Sequence, residues 1–131
     1  MRIGIVGSRR FKDRAAVEKL VEELPRDSVI VSGGCRGVDK WAVEKARELG
    51  METKEHLPKL TGCVTKWDYT QAYFARNKKI ANDCQILYAF VAEDRTGGTE
   101  NTIKHATEAG IKIVLKGGKN EETNKQHNDD N

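Results

Sequence analysis

Three short stretches of this sequence combine glycine with polar or charged side chains. They comprise Gly7, Ser8 and Arg9, then Gly33, Gly34, Gly37 and Asp39, and finally Gly97, Gly98 and Thr99. Each stretch lies between a short apolar run and a helical pattern, where unpaired backbone N–H groups attract phosphate. Glycine lets the backbone approach such a group because it has no Cβ. The sequence therefore predicts phosphate-binding turns, although none matches a Walker A motif or a full GxGxxG. The alternative is a purely structural use of the glycines in tight turns.

Charged side chains within these turns offer two further contacts to a nucleotide. The stretch GSRRF places Arg9 and Arg10 at the end of the first apolar run, and the planar fork of a guanidinium suits phosphate. A solvated surface pair is the alternative for these arginines. Asp39 could accept a hydrogen bond from a ribose hydroxyl, or it could hold the glycine turn through backbone N–H groups. Both uses of Asp39 stay open at the level of the sequence.

A helical stretch in the second half of the chain places an arginine among bulky side chains. Tyr69, Tyr73, Arg76 and Ile80 recur at spacings of four, three and four, so they share one helix face. A buried arginine without a partner is costly. Arg76 is therefore expected either to pair with an internal carboxylate or to face a ligand cleft. Asn77 beside it can both donate and accept hydrogen bonds.

The histidines and cysteines lack the spacing of a catalytic triad or a metal site. These residues are His56, His105, His127, Cys35, Cys63 and Cys84. An odd number of cysteines without a CxxC pair also argues against a disulfide framework. We therefore expect reduced thiols, no metal site and no cofactor.

Apolar periodicity predicts strands that alternate with helices. The predicted strands cover 2–6, 28–32, 52–56, 85–91 and 111–115, with a loop over 57–65 and a helix over 67–82. Alternation of this kind requires a parallel sheet with right-handed crossovers. The predicted fold class is α/β, a Rossmann-like, three-layer, doubly wound and mainly parallel sheet of about five strands. Ligands of such sheets bind outside the carboxyl ends of the strands, which is where all three glycine stretches are expected.

Composition sets the remaining limits on this chain of 131 residues. No apolar run approaches the roughly 20 residues that cross a bilayer, and the N-terminus lacks a secretory pattern, so a cytoplasmic protein is expected. Residues 1–116 are predicted as one nucleotide-binding domain and 117–131 as a polar, disordered tail. The net charge is +3, and the acidic tail leaves residues 1–119 at +6. That excess suits an anionic ligand and is too small to require nucleic acid.

Four motifs in order resemble those of the SLOG superfamily of Rossmann-like proteins. They are GSRRF, VSGGCRGVDKWAVEKARELG, ARNKKIANDCQILYAF and RTGGTENTIKHATEAGIKIV. The superfamily includes the Smf/DprA DNA-processing proteins and the LOG phosphoribohydrolases, and the nearest resemblance is to its small stand-alone YspA/YpsA-like members. The resemblance covers about residues 1–115. It implies a nucleotide or nucleotide-derived ligand whose phosphate is surrounded by Gly33, Gly34, Gly97, Gly98 and Thr99.

The same resemblance implies two residues for a hydrolase, if the chain is one. In LOG enzymes a motif of the form PGGxGTxxE supplies a glutamate, which works with an arginine on the preceding helix. Arg76 matches that arginine. Here the motif is shortened to RTGGTENT, so Glu100 is the candidate carboxylate and Thr102 stands three residues after Thr99. Glu100 therefore stands two residues before the position of the glutamate in that motif, and two residues on a helix correspond to about 200° of rotation.

Three functions follow, in decreasing order of expectation. The first is a sensor or other binding protein for a nucleotide, and the second is a phosphoribohydrolase that cleaves the N-glycosidic bond of nucleoside 5′-monophosphates. The third is single-stranded nucleic-acid binding of the DprA type. A homodimer is expected from the resemblance, and membranes are not expected partners. The aromatic residues of the third helix are predicted to be core or dimer contacts rather than a stacking platform: Trp67, Tyr69, Tyr73 and Phe74.

Overall fold

A computed structural model describes residues 1–117 of the chain. Strands and helices alternate along it in the order β1 (Arg2–Gly7), α1 (Arg14–Glu23), β2 (Val29–Ser32), α2 (Val38–Glu48), β3 (Glu52–Glu55), α3 (Lys66–Asn82), β4 (Ile86–Phe90), α4 (Gly98–Glu108) and β5 (Lys112–Lys116). Each strand lies within two residues of its predicted bounds, and 57–65 is a loop as predicted. The polar tail predicted over 117–131 lies outside the described residues, except for Gly117.

The five strands form one parallel sheet in the order β3-β2-β1-β4-β5. The chain moves outward from β1 through β2 to β3, and then returns to the other side of β1 for β4 and β5. The switch point therefore lies between β1 and β4. Because parallel strands end at the same edge, the turns after β1, β2 and β4 share that edge. The α/β fold class, with its Rossmann-like arrangement, is confirmed.

The helices cover both faces of the sheet. Helices α1 and α2 pack on one face around Val17, Val21 and Ala42, against strand residues such as Ile5. Helices α3 and α4 cover the other face with a second cluster, which includes Ile80 and Ala106 and packs on Leu87 and Val91. Apolar side chains therefore line the sheet on both sides, as expected for a parallel sheet.

The starts of the helices differ in a way that bears on the site. Asp13 caps α1 by accepting from the Ala16 N–H, and Thr65 and Asp68 form a capping box at α3. Helices α2 and α4 begin at Gly37 and Gly97 instead, with no side-chain cap. These two helix starts lie at the sheet edge where the glycine turns meet.

No helix within residues 1–117 is long and apolar enough to cross a membrane.

Candidate functional site

A cleft of about 390 Å³ opens at the carboxyl edge of the sheet, between the turns after β1 and β4. Nine predicted site residues line it: Gly7, Ser8, Arg9, Asp39, Arg76, Asn77, Gly97, Gly98 and Thr99. Four others are not part of its lining: Gly33, Gly34, Gly37 and Glu100. The structure thus brings together the first and third glycine stretches, whereas the second contributes through Asp39.

The Gly33 turn is held by an internal anion. The carboxylate of Asp39 accepts a hydrogen bond from the Gly33 N–H at 3.0 Å, and the backbone N–H groups of Cys35 and Gly7 also act to lower its pKa. This contact is the one expected if Asp39 holds the glycine turn, which is one of the two uses that the sequence left open. The amides of this turn are therefore directed at a protein carboxylate, in the way that other glycine turns direct amides at phosphate.

Crowding explains why position 33 is glycine. A Cβ added to Gly33 would lie 2.9 Å from both Arg76 Nη1 and Asp39 Oδ2, and 3.1 Å from a methyl carbon of Ile80. Real Cβ atoms do not approach other atoms that closely, so an alanine would push these groups apart. Gly33 is required for close packing of the two charged side chains.

Asp39 is 4% exposed and carries an unusual proton affinity. Burial raises the pKa of its carboxyl group to about 6, while the charge of Arg76 and the backbone hydrogen bonds act in the opposite direction. Desolvation is therefore the dominant cause of the shift.

Arg76 is buried and faces the cleft. Its Nη1 donates to the Gly33 carbonyl at 2.6 Å, its Nε donates to Asn77 Oδ1 at 2.9 Å, and its Nη2 lies 3.4 Å from Cys35 Sγ. Its guanidinium also lies 5.7 Å from the ring centre of Tyr73. Within residues 1–117 Arg76 forms no ion pair. The guanidinium therefore donates to a carbonyl, a side-chain amide and a sulfur, and its charge also acts on the Asp39 carboxylate.

The N-terminus of α4 carries hydrogen-bonding groups that the described residues do not use. The N–H groups of Gly98 and Thr99 donate to no acceptor in residues 1–117. The hydroxyls of Thr99 and Thr102 also lack a partner there, although these residues are only 9% and 2% exposed. A Cβ added to Gly98 would meet nothing within 4 Å. This end of the cleft therefore has both donors and room for a ligand.

The two arginines of the first turn have different surroundings. Arg9 is exposed, lines the cleft and makes no ion pair within the described part of the chain. Arg10 crosses to the β4–α4 loop, where it donates to both carboxylate oxygens of Asp94 at 2.8 and 2.9 Å and to the Thr96 hydroxyl at 2.6 Å. Its hydrogen bonds hold the pKa of the Asp94 carboxyl well below its usual range. Arg10 therefore fixes the loop, whereas the Arg9 charge is available to a ligand.

Glu100 lies on α4 but is paired away from the cleft lining. Its carboxylate accepts two hydrogen bonds from Arg95, at 2.7 and 2.9 Å. The residue three positions after Thr99 is Thr102, and its side chain lines the cleft. Among the described residues, the carboxylate that lines the cleft is that of Asp39.

Thr102 and Cys35 are among the lining residues that sequence reasoning did not select. Thr102 could have been found from helical spacing, because residues three apart on α4 share a face with Thr99. Cys35 lies between the glycines of the second stretch, but its direction into the cleft depends on the long-range contact with Arg76. All three cysteines are free. No group of three or more metal-ligating side chains occurs within residues 1–117.

Comparisons with known proteins agree with this class of α/β protein. The family model for DNA recombination-mediator protein A matches residues 1–62. The X-ray structure of DNA processing protein A (DprA) from Streptococcus pneumoniae is similar, with a TM-score of 0.73 and 26% identity over 87% of this chain. The chain spans about half of that protein, 49% of its length. These findings confirm the resemblance to the superfamily that contains the Smf/DprA proteins.

Two further comparisons carry no argument on function. The C-terminal domain of a Pyrococcus furiosus hydrogenase matches with a TM-score of 0.48 and 12% identity, over 88% of this chain and 90% of that one. The comparison with curated proteins gave no match.

Proposed function

We propose that the cleft binds a nucleotide or nucleotide-derived ligand, with its phosphate against the N-terminus of α4. The observation that carries this proposal is the set of unused donors there, namely the N–H groups of Gly98 and Thr99 and the hydroxyls of Thr99 and Thr102. Buried polar groups are normally paired. Groups that line a cleft without a protein partner are therefore well placed to bind a ligand.

Electrostatics favour an anion at this position. The start of a helix carries about half a positive charge, and Arg9 adds a full charge to the lining of the same cleft. Arg76 and Asn77 line it as well. Asp39 is the one carboxylate in the lining and would repel a phosphate. Its oxygen accepts from the Gly33 N–H, on the side of the glycine turn. A phosphate at α4 is thus placed among donors.

Binding without hydrolysis is the form of this function that the contacts support best. Glycosidic cleavage needs a carboxylate that can reach the reacting carbon. The Glu100 carboxylate is held by Arg95, and the Asp39 carboxylate is held by backbone N–H groups. The phosphoribohydrolase with Arg76 and Glu100 in catalytic roles stays a prediction, and release of free base from AMP is the assay for it.

Calorimetric titration with AMP, ADP-ribose, NAD and cyclic nucleotides tests the binding proposal. The decisive variant is Thr102→Val, which keeps the shape of the side chain and removes its hydroxyl. A hydrogen bond to a charged group is worth about 1.5–3 kcal/mol, so the affinity should fall about tenfold or more. Thr107→Val is the matched control, because that hydroxyl donates to the Ile103 carbonyl on the same helix, outside the cleft lining. Equal affinities in all three proteins, or no heat with any nucleotide, would contradict the proposal.

A second candidate is binding of single-stranded nucleic acid, as in the third sequence-based prediction. The similarity to a DNA processing protein favours it, and so do exposed aromatic rings on α3. Trp67 is 68% exposed, and Phe74, 38% exposed, also lines the cleft. Bases stack on such rings at about 1–3 kcal/mol per base.

Fluorescence anisotropy with labelled oligothymidylate separates the two candidates. A nucleic-acid binder should lose affinity steeply as salt increases and should lose at least about fivefold in affinity on Trp67→Ala. A protein specific for a free nucleotide should show AMP affinity that is unaffected by Trp67→Ala. An oligonucleotide affinity that does not change with salt would rule out the second candidate.

A further inference from the structure

Cys35 places a thiol in the lining of the cleft. It is partly exposed, and its sulfur lies 3.4 Å from Arg76 Nη2, which donates to it. The Cys35 carbonyl accepts from the Lys40 N–H at 3.2 Å, which holds this residue at the start of α2. The positive charge of Arg76 therefore lies where it attracts an anionic reagent toward the sulfur.

The two other cysteines have surroundings that do not favour reaction. Cys84 is buried, and burial raises the pKa of its thiol to about 11. Cys63 is partly exposed like Cys35, but its sulfur is placed to donate to two carbonyls, those of Lys59 and Asp68, at 3.9 and 3.7 Å. The chain thus supplies its own comparison, since Cys63 has the exposure of Cys35 without a guanidinium.

A second observation points to a ligand in the cleft that Cys35 lines. Thr99 and Thr102 line the same cleft, are 9% and 2% exposed as residues, and have hydroxyls with no partner within residues 1–117. Arg9 lines it too and forms no ion pair in that range. The charge of Arg9 favours an anionic molecule over a neutral or cationic one.

We infer that Cys35 is a modification site that reacts with small anionic disulfides, and that the adduct occupies the ligand cleft. The Cys35 thiol first loses its proton to water. Its thiolate then attacks one sulfur of the disulfide, a new bond forms between the Cys35 sulfur and that atom, and the bond between the two reagent sulfurs breaks. The other half leaves as a thiolate, so the cysteine is oxidised and the disulfide is reduced without a further reactant.

The test compares two variants that each keep one accessible thiol. Dithiobis(nitrobenzoate), an anionic disulfide, should release one equivalent of thionitrobenzoate from Cys63→Ser at least about tenfold faster than from Cys35→Ser. Cystamine, a cationic disulfide, should show a smaller difference between the variants by mass spectrometry. Arg9→Gln in the Cys63→Ser background should lower the rate with the anionic reagent and not with cystamine. Equal rates from the two single-thiol variants, or faster reaction with cystamine at Cys35, would overturn the inference.

A further arm separates this inference from the proposed nucleotide binding. AMP should slow the modification of Cys35 and leave the modification of Cys63 unchanged. Fast, anion-selective modification without protection by AMP, and without a calorimetric signal, would remove the nucleotide proposal and leave the Cys35 inference in place. Slow modification of Cys35 in a protein that binds AMP would overturn the Cys35 inference and leave the nucleotide proposal in place.

Discussion

At the scale of single residues, Asp39 decides how the second glycine stretch is used. The sequence suggested that Gly33 and Gly34 surround a phosphate, but the carboxylate of Asp39 is the anion that the Gly33 N–H meets, at 3.0 Å. A protein carboxylate at this place fixes the turn in the absence of ligand. The phosphate proposal therefore depends on Gly98 and Thr99 at the other side of the cleft.

The raised pKa of Asp39, about 6, predicts a particular dependence of stability on pH. The folded protein takes up this proton more readily than the unfolded chain, whose aspartate pKa is about 3.9. The contribution of Asp39 is therefore most favourable below about pH 4 and falls by about 2–3 kcal/mol as the pH rises through 6. Urea denaturation at several pH values should show this loss as a difference between the wild type and Asp39→Asn. A difference that stays constant between pH 4 and pH 7 would contradict it.

Gly33 and Gly98 should respond in opposite ways to the same substitution. Gly33→Ala forces its Cβ against Arg76 and Asp39, so the free energy of unfolding should fall by about 1–3 kcal/mol. Gly98→Ala meets nothing within 4 Å and should leave the melting temperature unchanged or slightly higher. Its methyl group would lie where the phosphate is proposed, so AMP affinity should fall at least about tenfold. Thermal unfolding and calorimetry on both variants give the comparison, and unchanged affinity in Gly98→Ala would place the phosphate elsewhere.

At the scale of elements, the β4–α4 loop is fixed from both sides. Arg10 reaches it from the β1–α1 turn and contacts Asp94 and Thr96, while Arg95 within the loop pairs with Glu100 on α4. Arg95 has a φ of 56°, the one positive φ of a non-glycine residue within residues 1–117. Such a backbone persists where surrounding contacts hold it. These contacts position the start of α4 before any ligand arrives.

Arg10→Ala should therefore loosen the loop without unfolding the protein. The Arg10–Asp94 contact is exposed, and exposed ion pairs contribute little to global stability. We expect an unchanged melting temperature, weaker AMP binding, and faster hydrogen exchange at the amides of Arg95 and Thr96, which donate to the Ala92 carbonyl and the Asp94 carboxylate. Arg14→Ala is the control, because Arg14 is similarly exposed and pairs with Glu18 and Glu44, away from the cleft lining. Identical exchange in the two variants would show that Arg10 does not position the loop.

The elements themselves were predictable because their signals are local. The apolar spacing of α1 and the terminating glycines of α2 and α4, Gly50 and Gly110 with φ of 77° and 74°, are properties of short windows. The partners of Arg10 and Arg76 were not predictable, because each depends on which strand lies beside which. Arg10 and Asp94, for example, are 84 residues apart in sequence, and only the pairing of β1 with β4 brings their turns together.

At the scale of the whole molecule, the exposed apolar side chains are concentrated on one segment. Leu57, Leu60, Val64, Trp67, Tyr69 and Phe74 all lie in the β3–α3 loop and α3. The prediction that Trp67 belongs to the core does not agree with its 68% exposure. Its other predicted use, as a dimer contact, stays a prediction, and concentrated apolar exposure is typical of protein interfaces.

A homodimer through this segment predicts a simple result in sedimentation equilibrium. The wild type should approach twice the chain mass of 14.7 kDa, and Trp67→Glu should shift it to the single-chain mass. Leu115→Glu, on the edge strand β5 and also exposed, should leave the association unchanged. A wild-type protein at 14.7 kDa at all concentrations would exclude the dimer.

The strand order also has a consequence for how the protein is made. The cleft takes Arg9 from the turn after β1 and Thr102 from α4, because β1 and β4 are neighbours in the sheet. A nascent chain on the ribosome can therefore offer no complete pocket until translation has passed Thr102 and that segment has left the exit tunnel. Ligand capture then has to wait for almost the entire described length, so a metabolite present during synthesis would act on the finished sheet rather than guide its early strands.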